Sequence, residues 1–104
     1  MNHNIDFIEQ WIAPGSRVLD VGCGDGALLA SLRDQRKVLG YGLEIDPASI
    51  SRCLEKGVNV IEQDLNKGLK NFADQSFDTV WMTHTLQALR YPHLVLDEIL
   101  RIGK

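Results

Sequence analysis

With 104 residues, 44% of them hydrophobic and 24% charged, the sequence has the composition of one globular domain and leaves no room for a second, so a single unit over 1–104 is expected. A net charge of -3, with eleven Lys and Arg scattered along the chain, gives no long-range attraction for nucleic acid or for an anionic lipid surface. No apolar run is long enough to span a bilayer, and the polar, acidic opening lacks a signal-peptide pattern, so no membrane partner and a cytoplasmic location are expected.

In chain order, Ile5, Ile8 and Ile12, with Phe7 and Trp11 beside them, recur at helical spacing and predict an amphipathic helix stopped by Pro14 and Gly15. Residues 17–21 are a short apolar run, and the glycine-rich stretch after it opens onto Ala27, Leu28, Leu29, Ala30 and Leu32, which repeat as a helix does. A second strand fits 38–45. Asp46 and Pro47 then read as an N-cap and a first-turn proline, starting a helix that runs to about Lys56 and ends at Gly57.

Residues 58–61 predict a third, buried strand and 77–82 a fourth, separated by the polar stretch 66–76. Tyr91 and Pro92 precede a last helical pattern through Leu94, Val95, Leu96, Ile99, Leu100 and Ile102, with Gly103 placed as its C-terminal cap. Strands alternating with helices argue for an α/β fold with a parallel sheet, which takes ligands outside the carboxyl ends of its strands.

Three acidic positions fall at those ends. Val18-Leu19-Asp20-Val21-Gly22-Cys23-Gly24-Asp25-Gly26 places Asp20 at the end of the first strand and three alternating glycines before a helix, a loop that can lie closely against a nucleoside. The spacing differs from the G-x-G-x-x-G dinucleotide fingerprint, and Asp25 would set a carboxylate near a pyrophosphate, so a ligand without one suits the loop better. Glu44 ends the second strand, where a carboxylate can accept from both ribose hydroxyls. Asp64, after the third, can accept from an adenine amino group.

Together these motifs resemble the class I S-adenosylmethionine-dependent methyltransferases, a Rossmann-like family. The resemblance implies S-adenosyl-L-methionine as cofactor, with Asp20, Gly22, Cys23, Gly24 and Gly26 at its methionine part, Glu44 with Ile45 at its ribose, and Asp64 with Leu65 at its adenine. A narrower resemblance is carried by the segments 11–20, Gly40-Tyr41-Gly42-Leu43-Glu44-Ile45-Asp46, Gly57-Val58-Asn59-Val60-Ile61, Thr85-Leu86-Gln87-Ala88 and Leu100-Arg101-Ile102-Gly103-Lys104. These are similar to the MetW family of methionine biosynthesis. That likeness implies either methyl transfer to an unidentified small acceptor or a non-catalytic role beside homoserine O-acyltransferase.

The resemblance also implies a strand order 3-2-1-4 with flanking helices, the fourth strand left as an exposed edge, and later strands beyond Lys104, so a fragment or truncated gene product is expected. Thr83, His84 and Thr85 follow the fourth strand, where such proteins often face their substrate. His84 stands where a glutamine is commoner in the narrower family, so no catalytic residue is assigned. Cys23 and Cys53 form no paired metal-ligand spacing with His3, His84 or His93, and two reduced thiols are expected.

Overall fold

The computed structural model of the chain describes residues 10–82 and 89–104. Its elements are strand β1 (Arg17–Val21), helix α1 (Ala27–Arg36), β2 (Leu39–Glu44), α2 (Pro47–Glu55), β3 (Asn59–Glu62), a 3-10 turn (Leu65–Lys67), β4 (Thr79–Met82) and α3 (Pro92–Ile102). The four strands form one parallel sheet in the order β3-β2-β1-β4, flanked by helices. This is the Rossmann-like class I methyltransferase fold expected above.

Alternation along β1 divides the core between the two faces of the sheet. Val18 packs with Leu29, Leu32, Val38, Cys53 and Val58 beneath α1 and α2, whereas Leu19 and Val21 pack with Leu43, Leu65, Leu69, Phe77, Val95 and Ile102 beneath α3. A central parallel strand covered on both sides must be apolar throughout. Asp20, buried on the first of these faces, is therefore an exception that calls for an explanation.

Local chemistry sets the boundaries. Asp46 caps α2, its carboxylate accepting from Ser49 N at 3.0 Å and Ser49 Oγ at 2.8 Å, with Pro47 in the first turn. Gly26 enters α1 at φ 80°, and Asp25 beside it supplies the missing cap by accepting from Ala27 N at 3.0 Å. On the α3 face, Arg101 holds the irregular stretch before β4 in place. Its guanidinium donates to Leu69 O, Phe72 O and the Asp74 carboxylate while pairing with Glu98 on its own helix.

Several expectations need correction. The third strand runs from Asn59 to Glu62 and is only partly buried: Val58 before it is buried and Val60 half-buried, but Asn59, Ile61 and Glu62 are exposed, β3 being the outermost strand and pairing only with β2. The fourth strand begins at Thr79 rather than at Phe77, which instead forms a parallel bridge to Gly103, with Phe77 N donating to Ile102 O and Lys104 N to Phe77 O. Gly103 caps α3 as expected, its N–H donating to Ile99 O at 3.0 Å, and it does so in an extended conformation (φ -86°, ψ 156°) that turns the chain toward the sheet. β4 is an edge strand, as expected, but its first approach is covered by that bridge. Of the N-terminal helix, 1–9 lie outside the described residues; Gln10 and Trp11 are helical and Ile12 is buried.

Candidate functional site

β1, β2 and β3 end side by side, and the loops leaving them build a crevice of about 200 Å³ lined by Gly22, Leu43, Glu44, Ile45, Gln63, Asp64, Leu65, Asn66 and Leu89. Five of the nine expected site residues line it: Gly22, Glu44, Ile45, Asp64 and Leu65. The other four are not among its lining: Asp20 lies in β1, and Cys23, Gly24 and Gly26 in the loop that leaves it. Gly22 N and Cys23 N both donate to Leu43 O, at 2.8 and 2.9 Å, so the glycine loop continues the β1–β2 ladder before it turns.

Close approach is enforced by Gly42. A methyl group there would sit 2.4 Å from Cys23 Sγ and 3.0 Å from Leu29 Cδ1, so only glycine lets the loop lie on β2. Gly26 is constrained in another way. It combines a left-handed backbone with Cys53 Sγ and Val58 only 3.0 and 3.3 Å from where its Cβ would be, which locks the start of α1 against α2.

Glu44 does more than end its strand. One carboxylate oxygen accepts from Gly24 N at 2.8 Å, and the other from Ile45 N at 3.2 Å and Asp46 N at 3.1 Å. The side chain thus ties the glycine loop to the entry of α2. A carboxylate offers about four acceptor sites, so capacity remains for a ligand hydroxyl. Asp64 accepts from Asn66 N at 3.0 Å and caps the 3-10 turn, which fixes the direction of its carboxylate; Leu65 behind it is buried.

Asp20 is 3% exposed, and its Oδ1 has no hydrogen-bond partner. Burial pushes its carboxyl up to about 6; the Trp81 indole opposes this and the negative Glu44 adds to it. Trp81 pairs with Asp20 across the β1–β4 ladder, yet its Nε1 does not meet hydrogen-bond geometry, so the indole acts on the carboxylate as a nearby dipole. An unpaired buried carboxylate oxygen costs free energy unless a cation or donor reaches it. Asp20 therefore fits a ligand that brings a positive charge to the end of β1.

Gln63, Asn66, Leu43 and Leu89 also line the crevice and were not anticipated. Gln63 and Asn66 flank Asp64 in sequence, which was a usable signal. Leu89 is brought in by the chain after β4, and nothing local foretells it. Thr83, His84 and Thr85 lie outside the described residues. Among the described residues no group of three His, Cys, Asp or Glu side chains could hold a metal ion, and no helix is long and apolar enough to cross a membrane.

Comparison with known proteins gives the same picture. The family model for methionine biosynthesis protein MetW matches residues 2–104. The chain is 38% identical over 112 residues to the bifunctional methionine biosynthesis protein MetXA/MetW of Rhodopirellula baltica, covering 100% of this chain and 18% of that protein. It is 36% identical over 105 residues to the ubiquinone biosynthesis O-methyltransferase of Hahella chejuensis, covering 96% and 44%. The chain thus spans less than half the length of either relative. Among solved structures, a SAM-dependent methyltransferase from Archaeoglobus fulgidus superposes with a TM-score of 0.84 at 25% identity, over 98% of this chain and 46% of that one.

Proposed function

Since the chain belongs to the MetW family, we propose that it binds S-adenosyl-L-methionine in the crevice at the ends of β1, β2 and β3 and serves methyl transfer to a small acceptor within methionine biosynthesis. The observation that carries this reading is Asp20. A buried carboxylate with an unpartnered oxygen, set at a strand end beside a glycine loop, suits the cationic amine of the cofactor's methionine part.

The remaining roles follow from position. Gly22, Cys23, Gly24 and Gly26 form the loop against which the methionine and ribose would lie. The one acceptor site that Glu44 keeps free takes a ribose hydroxyl, with Ile45 against the sugar. Asp64 accepts from the adenine amino group while Leu65 packs on the ring. When bound, the cofactor supplies an activated methyl group on a sulfonium, so the protein's task is alignment and exclusion of water, and no general base is required of it.

A second reading is favoured by one comparison. It is a non-catalytic or regulatory partnership with homoserine O-acyltransferase, and what favours it is that the Rhodopirellula relative is named as a bifunctional MetXA/MetW protein, two named parts in one chain. Both readings share the cofactor site. They part at the acceptor: turnover with small-molecule acceptors supports the first, and ligand-dependent change of acyltransferase activity in a mixed assay supports the second.

The site is tested by isothermal titration of the full chain with S-adenosylmethionine and S-adenosylhomocysteine. Saturable binding that weakens at least tenfold in both Glu44→Ala and Asp64→Ala is expected, with folding of each variant checked by circular dichroism. Absence of binding by the folded wild-type chain would refute the assignment.

A further inference from the structure

Cys23 lies in the glycine loop and Cys53 in the last turn of α2, and their sulfurs are 3.7 Å apart although thirty residues separate them. Both are free thiols within the core beneath α1 and α2. They also share an acceptor, Gly24 O, which Cys53 Sγ reaches at 3.2 Å and Cys23 Sγ at 3.8 Å. A disulfide needs about 2.05 Å between sulfurs. The sulfurs, already in van der Waals contact, have about 1.7 Å left to close.

We propose that Cys23 and Cys53 are a reversible dithiol latch that, on oxidation, ties the glycine loop covalently to α2. The crosslink does not depend on the ligand proposed above. Its location gives it consequence, because the linked loop is the one Glu44 holds through Gly24 N.

A small-molecule disulfide serves as oxidant. Cys23 retains slight exposure whereas Cys53 has none, so attack begins at Cys23. Its thiolate attacks one oxidant sulfur, forming a mixed disulfide and expelling one thiolate. The Cys53 thiolate then attacks the Cys23 sulfur, forming the internal bond and expelling the second. The oxidant takes up two electrons and leaves as two thiols, which carry the two protons lost by the protein.

Burial, then the adjoining Cys53 thiol, Asp20 and Glu44, push the Cys23 thiol up, and burial likewise pushes up Cys53. Thiolate is therefore scarce while the loop is closed, and the latch sets slowly, through loop opening.

The test uses the full reduced chain, incubated with oxidised glutathione and analysed by non-reducing peptide mapping, thermal melting and hydrogen exchange. A linked Cys23–Cys53 peptide within one chain is expected, with loss of both free thiols and a melting temperature raised by about 15 °C, as closing a ring of this length implies. Slower exchange at the amides of 22–26 is also expected, and all of it reversed by dithiothreitol. Cys53→Ser should retain glutathione on Cys23 and gain no stability. Two thiols still free after prolonged oxidation, a retained adduct on wild-type protein, or a crosslink without slower loop exchange would each overturn the proposal, and none of these depends on the variant folding.

Discussion

Asp20 illustrates how one residue can oppose stability and serve binding. Its folded-state value of about 6 lies above the ordinary aspartate value of ~3.9, so the folded protein holds this proton more tightly than the unfolded chain does. Stability from this group is complete below about pH 4 and is lost as pH rises to about 6, by roughly 3 kcal/mol in total. Asp20→Asn should therefore raise the melting temperature at pH 7.5 relative to wild type and lose that advantage at pH 4, as differential scanning calorimetry would read. For ligand the sign reverses. A cationic amine is held by the ionised form, so S-adenosylmethionine affinity should rise as pH climbs through about 6 and vanish from that dependence in the variant, as titrations across pH would show.

At the scale of elements, contacts between the glycine loop and its neighbours matter more than the loop's own flexibility. Gly42→Ala leaves β2 intact as a strand but drives a methyl into Cys23, and overpacking of this kind costs about 1–3 kcal/mol. The variant should unfold at lower urea and bind S-adenosylhomocysteine more weakly, because the displaced loop also draws Gly24 N from Glu44. Most of this layer was legible in the sequence. The apolar run 17–21, the Asp46-Pro47 start of α2, Glu44 at the end of β2 and Asp64 after β3 all lie where local chemistry puts them. Other features were not legible, for physical reasons. Ile61 read as buried because apolarity does not reveal whether a second neighbour exists, whereas Val58 is buried as read. Gly103 was legible as the cap of α3, but its extended form was not, because that depends on Phe77, distant in sequence. The engagement of Glu44 by three amides depends on the loop's final path, which no local pattern encodes.

For the whole molecule, β4 forms one edge of the sheet, with the bridge between Phe77 and Gly103 at its start. Leu100 is 79% exposed and Leu96 42%, and both lie on the helix that leads back to this edge. An unpaired strand edge beside exposed apolar side chains invites association. Concentration-dependent association should be visible by sedimentation velocity, and Leu100→Lys should diminish it while leaving the melting temperature nearly unchanged. The bridge between Phe77 and Gly103 gives that edge a direction. Starting a ladder is the slow step, since two segments must first be aligned for little return, whereas each later rung is added to a pair already in register. Here one tooth of the zipper is engaged, in parallel sense, just before Thr79. Any strand that continues from this tooth along β4 closes from Thr79 toward Met82, and one arriving in the opposite sense must first undo it.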